Sequence, residues 1–151
     1  MSASTTTNKA VIAHARKWLG TPYHHQASTP GIGTDCLGLI RGIWRQLYGG
    51  EAENIPNYPK HMPLNEGEIL YEAAARYMEE IALSEVVAGN LLLFRMKPEH
   101  PMRHAAILSS PNHLIHACAF REVMEVRFSR YWKEKVACAF RFPLREGESH
   151  E

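Results

Sequence analysis

Near residue 90 the apolar residues of this chain change their spacing, and no other feature restricts the fold as much. Before that point they recur at helical intervals; after it they gather into short runs rich in β-formers. Helices first and strands afterwards predict an α+β domain, with N-terminal helices packed on a C-terminal antiparallel sheet. Val11, Ile12, Ala15, Trp18 and Leu19 give a helix over about residues 8–19, stopped by Gly20 and Pro22. Leu37, Ile40, Trp44 and Leu47 give a second over 35–48, ended by Gly49 and Gly50. A third is expected over 65–83, with Leu70, Ala73, Ala74, Tyr77, Met78 and Ile81 facing inward. The β-rich runs are 91–95, 103–109, 113–120, 123–128 and 136–142, a sheet of about five strands. Residues 20–34 and the proline-bearing stretch 50–66 read as shaped loops.

A chain of 151 residues without repeats or low-complexity linkers fits one domain over 1–151, with residues 1–8 expected to be flexible. Lysine and arginine number 17 against 16 acidic residues, so no basic excess exists to hold nucleic acid by charge. The basic run 127–135 reads as a solvated face. The polar start lacks the apolar core of a secretory signal, and no apolar run approaches the length of a bilayer span. The protein is therefore expected to be made in the cytoplasm, to have no membrane partner, and to reach any substrate outside by a route other than secretion. Three widely spaced cysteines make no disulfide framework; Cys118 and Cys138 read as buried small hydrophobes.

Cys36 is different. It opens the second helix, where unpaired N–H groups and the positive end of the helix dipole favour a thiolate, the reactive form of cysteine. A thiol nucleophile needs a base and a group to orient that base. With Ser109–Pro111 as a three-residue hairpin loop, Leu108 falls opposite Asn112 and His104 opposite His116, on one face of the sheet. Two histidines so placed can hydrogen-bond, His116 orienting His104. The N–H of Cys36 lies in the unsatisfied first turn and suits an oxyanion, and Tyr23 can add a phenolic donor. His24, His25, His100 and His104 invite a metal-site reading, but neither Cys-x-x-Cys nor His-Glu-x-x-His spacing occurs, so no metal or other cofactor is expected.

These residues lie in motifs with a familiar order: Trp18-Leu19-Gly20-Thr21-Pro22-Tyr23, Gly33-Thr34-Asp35-Cys36-Leu37-Gly38-Leu39-Ile40, Gly89-Asn90-Leu91-Leu92-Leu93-Phe94, Arg103-His104-Ala105-Ala106-Ile107-Leu108 and Leu114-Ile115-His116-Ala117. The series resembles the NlpC family of peptidoglycan cysteine peptidases from about residue 9 to 143. Residues 39–45 and the closing Phe140-Arg141-Phe142-Pro143 resemble a branch found in phage and gene-transfer-agent tail clusters. The resemblance implies a papain-like fold and hydrolysis of an amide bond in murein stem peptides, usually D-γ-glutamyl to a diamino acid. Cys36 would be nucleophile, His104 base and His116 third member; Tyr23, Asp35 and Arg103 would border substrate or oxyanion. It also implies a peptidoglycan substrate, phage-like tail proteins as partners, and delivery to the cell wall by a virion. Leu37 stands where the family commonly has serine, Asn90 where it has aspartate, and His24-His25-Gln26-Ala27 replaces an aromatic-Gly-Gly run. Two other readings use the same residues: an inactive tail structural or adaptor protein, and an amidase or acyltransferase on another substrate.

Overall fold

The computed structural model describes residues 5–52 and 68–145. Helix α1 covers Thr6–Arg16 and α2 covers Cys36–Tyr48. Between them two short strands, β1 (Ser28–Thr29) and β2 (Gly33–Thr34), pair antiparallel. After α3 (Ile69–Tyr77) come β3 (Glu79–Ile81), β4 (Leu91–Phe94), β5 (His104–Ser110), β6 (His113–Ala117) and β7 (Val123–Arg127). A single turn of helix, α4 (Arg130–Lys133), then leads into β8 (Val136–Arg141). Strands β3 to β8 form one sheet in the order β3-β8-β4-β5-β6-β7, each neighbouring pair antiparallel.

The alternation along the strands divides the core in two. Leu91, Leu93, Ile107, Ile115 and Phe140 point toward α1 and α2, meeting Val11, Trp18, Leu39 and Ile43. Leu92, Phe94, Ala106, Leu108 and Leu114 point to the other face, covered by Phe128, Trp132 and Val136. Trp18 is fully buried, and a Cβ at Gly42 would overlap its ring, so the helices meet closely only because that position is glycine.

The structure corrects several expectations. The chain is already helical at Thr6, capped by Thr5 Oγ1 accepting from the Asn8 N–H at 2.9 Å. Thr7 and Asn8 are buried. The third helix is nine residues long and gives way at Met78 to β3, the sixth strand of the sheet. No glycine or proline marks that break. It forms because the edge of β8 offers backbone partners, with Arg141 Nε also donating to Glu79 at 2.9 Å. The predicted strand 113–120 ends at Ala117. Of the loop expected over 50–66, residues 53–66 lie outside the described part, as do the first positions of the predicted third helix.

Candidate active site

Residues 20–24 run as a strip between two partners. On one side Gly20 and Tyr23 donate to the carbonyls of Val123 and Arg121, each at 2.9 Å. On the other, Thr34 donates to Pro22 at 2.9 Å and His24 to Thr34 at 3.0 Å. This ties the loop carrying Tyr23 both to the sheet and to the entry of α2.

Asp35 is the N-cap of α2. One carboxylate oxygen accepts from the Gly38 N–H at 2.8 Å, and the other accepts from the Gln26 N–H at 2.7 Å, with the His25 ring 3.8 Å away. The buried carboxylate thus fixes the helix start and pulls the 24–27 loop over it. Gln26 adopts a left-handed backbone, φ 66°, and its bond to Asp35 helps hold it there. Gly38 is the second position where only glycine fits, since a Cβ would run into the Ala27 carbonyl oxygen.

Cys36 is the first helical residue, and its thiol donates to the Arg103 carbonyl at 3.6 Å. The backbone N–H of Ala105 also faces the sulfur. The nucleophile candidate therefore rests against the head of β5, the strand that begins with His104. His104 Nε2 and His116 Nδ1 are 2.9 Å apart, their rings perpendicular.

The histidines meet through a different register from the one expected. The turn is the two residues Pro111 and Asn112, with a bulge between Leu108 and Ser110; Leu108 pairs with Leu114 and Ile107 with Ile115. Counting on, His116 lies opposite Ala106, and His104 is its diagonal neighbour. The error is two residues, an even number, so both rings stay on one face, and imidazoles reach across a diagonal. Cys118, beyond the end of β6, is half-buried. Cys138 is buried beside the sulfur of Met102.

The electrostatics around the sulfur oppose the thiolate expected of a helix N-terminus. Burial, and then the Asp35 carboxylate, push the Cys36 thiol up to about 12, against the pull of the Ala105, Leu37 and Cys36 N–H groups. Burial, and then the charge of His116, bring His104 down to about 3; burial also lowers His116. Both shifts favour the neutral forms, thiol and imidazole. Tyr23 is pushed up to about 12 by burial, then by the charges of Cys36 and Asp35, so it stays a hydrogen-bond donor near the sulfur. Of Arg103, the main-chain carbonyl meets the thiol; its Nε is buried without a partner among the described residues.

Two neighbours of the pair were not foreseen. Trp132 stacks on His104, centroids 5.6 Å apart and planes 25° from parallel, and meets His116 edge-on at 5.2 Å. Phe94 closes the side at 5.8 Å from His104. Trp132 lies inside the basic run read as a solvated face; the adjacent aromatic pair Tyr131-Trp132 was the available signal. An apolar crevice between α2 and α3 is lined by Leu37 and Ala105, the residues that directly follow Cys36 and His104. Among the described residues no group of His, Cys, Asp and Glu could hold a metal ion, and no helix is long and apolar enough to cross a membrane.

Helices on an antiparallel sheet, with a helix-borne cysteine against the head of the strand that carries one of a pair of hydrogen-bonded histidines, define the papain-like class of domains. The profile of the NlpC/P60 family matches residues 20–141, and the chain belongs to that family. It is similar to the gamma-DL-glutamyl hydrolase of Bacillus subtilis (strain 168), 26% identical over 138 residues. That match covers 91% of this chain and 30% of the relative, so the chain spans under a third of that protein. Among solved structures, a lipoprotein-like NLP/P60 protein from Staphylococcus aureus has a TM-score of 0.65 at 22% identity, over 96% of this chain and 44% of its own. The NlpC/p60 domain of the peptidoglycan hydrolase SagA has a TM-score of 0.60 at 24% identity, over 88% and 97%. RipD of Mycobacterium tuberculosis, described as a non-catalytic NlpC/p60 domain protein adapted to peptidoglycan binding, has a TM-score of 0.59 at 14% identity, over 92% and 98%. These structural likenesses concern the fold.

Proposed function

We propose that this protein is a cysteine peptidase that hydrolyses an amide bond in peptidoglycan stem peptides, with D-γ-glutamyl–diamino acid as the favoured bond. The observation that carries the reading is the juxtaposition of the Cys36 thiol with the head of β5, where His104 is hydrogen-bonded to His116. Family membership alone does not supply it, since RipD belongs to the same family and is described as non-catalytic. The B. subtilis relative, named for a glutamyl bond, supports the choice of bond.

The chemistry is acyl transfer. With His104 Nε2–H donated to Nδ1 of His116, Nδ1 of His104 is left as the base. It takes the thiol proton as sulfur bonds to the carbonyl carbon, and the oxyanion forms against the Cys36 N–H, with the Tyr23 hydroxyl as a second donor. The imidazolium then gives its proton to the leaving amine as the C–N bond breaks. Water attacks the thioester, losing a proton to His104, and the acid and the thiol are released. We assign Asp35 to positioning, because its oxygens are engaged by Gly38, Gln26 and His25. Arg103 contributes its carbonyl to the thiol, and its guanidinium is offered to a substrate carboxylate, such as the α-carboxylate that a γ-linked glutamate leaves free. Incubation with a γ-D-Glu–diaminopimelate peptide should give two products whose masses add up to that of the substrate plus one water, cut at the γ-glutamyl bond. Cleavage elsewhere, or none under reducing conditions, overturns the assignment.

The third member is tested separately. His116→Asn keeps a side-chain hydrogen-bonding group beside His104, whereas His116→Leu removes it. The asparagine variant is expected to keep about ten times more kcat than the leucine variant, the worth of one hydrogen bond of about 1.4 kcal/mol. Equal loss in both would remove the orienting role.

Residues 39–45 and 140–143, which resemble the tail-associated branch, support delivery by a phage-like tail. Antibodies to the protein should then label tails of purified particles, and unlabelled particles from a lysate containing the protein would refute that placement.

A further inference from the structure

The proposed chemistry asks one thing of His104 that His116 alone does not secure. The hydrogen bond between them fixes one ring atom, and a ring held at one atom still swings about that bond. Trp132 supplies the second constraint. Its indole lies nearly parallel to the His104 ring and edge-on to His116, and it is itself wedged against Phe94 at 5.3 Å. The short helix that carries it is anchored on both sides. Before it, Phe128 donates to the Asn112 carbonyl at 2.7 Å, and after it the Lys135 carbonyl accepts from Arg95, just past β4, at 2.9 Å. Tyr131 packs on the indole from outside at 5.2 Å.

We propose that Trp132 is a positioning residue of the active site: its indole holds the His104 imidazole in the plane that keeps Nε2 on His116, and it shuts water out of that bond. This rests on the reading of His104 as the base. Desolvation is then a consequence of the same contact, and it agrees in direction with the lowered values of both histidines. The charges of α4 are engaged elsewhere. Arg130 pairs with Glu134 at 3.7 Å, Lys133 lies over the Phe128 ring, and Lys135 lies 3.8 Å above the Tyr131 ring. On β5 and β6 the other titratable group, His113, bonds Ser110 at the hairpin turn. From β4 the His104 ring meets Phe94, and from α2 the titratable group at this end of the strand is Cys36. His116 is the charged partner whose effect on His104 is resolved.

The test pairs a measurement that needs no catalysis with one that does. Ring-proton NMR titration of the substrate-free protein should show His104 neutral at pH 5 in the wild type and in Trp132→Phe, which keeps an aromatic face. In Trp132→Ala the His104 titration should move up toward the ordinary histidine range. On the γ-D-Glu–diaminopimelate peptide, Trp132→Ala should lose kcat by about 10- to 100-fold with KM changed less than about threefold, the scale of a misplaced catalytic group. Trp132→Phe should stay within about threefold of the wild type. Should the alanine variant not fold, Trp132→Leu keeps the space filled without the stack, and a His104 titration moved upward there supports the proposal equally. A folded alanine or leucine variant with unchanged His104 titration overturns it, as does a phenylalanine variant as damaged as alanine. If the wild type cuts no stem peptide, the function fails, and the titration still decides the role of Trp132.

Discussion

Cys36→Ala is expected to reduce stem-peptide hydrolysis on the order of 10⁴-fold or more while the protein stays folded. The size of the effect follows from the absence of a substitute. Cys138 is buried against Met102, and Cys118 lies past the end of β6, not at the N-terminus of α2 that presents Cys36. The fold should survive because alanine removes only the sulfur, whose hydrogen bond to the Arg103 carbonyl is a weak one. Turnover on the γ-D-Glu–diaminopimelate peptide, together with a thermal melt, checks both halves. Mass spectrometry of wild type quenched during turnover should add a mass equal to the acyl group on Cys36. A melt unchanged with activity within tenfold of the wild type would show that the nucleophile is elsewhere.

His104→Gln is expected to lower kcat by about 10³- to 10⁴-fold, the usual worth of a positioned acid–base group. It should also change how stability depends on pH. The native ring stays neutral down to about pH 3, whereas an unfolded histidine takes a proton near 6.5. Between those values the unfolded chain binds more protons than the native one, so stability falls as pH drops through the window. The contribution is fully present above pH 6.5 and gone below about pH 3. His104→Gln removes this proton uptake, so denaturant midpoints measured at pH 7, 5 and 4 should fall less steeply than in the wild type. His116, also lowered, leaves part of the slope in place. Parallel slopes in the two proteins would mean that His104 is already protonated in the native state at pH 4. The thiol acts at the other end. The native value of about 12 lies above the ordinary 9, so its contribution weakens as pH rises above 9.

How the site was legible in sequence can be traced residue by residue. The helix around Cys36 carried its own signals: Asp35 as cap, apolar residues on one side, and Gly49 as a left-handed stop at φ 86°. Strand alternation put His104 and His116 on one face, and that survived a wrong turn length because the slip was even. What the sequence hid was decided across the fold. Strand β3 is a charged three-residue segment that exists because β8 has a free edge. The neutral state of the thiol depends on burial created by β5 and by the 20–35 loop, which no helix-dipole argument contains. Trp132 became a neighbour of the histidines only when a single helical turn folded back over the sheet.

The register of residues along the chain has one more consequence. His104, His116 and Trp132 lie within 29 consecutive residues, and their contacts are those of a hairpin and its cover. Cys36 lies 68 residues upstream of His104 and reaches the head of β5 through the seating of α2 on the sheet. The histidine pair thus rests on contacts of short sequence separation, and the placing of the thiol on a long-range one. A change that shifts α2 on the sheet would move Cys36 off β5 and leave the histidines and their tryptophan in place.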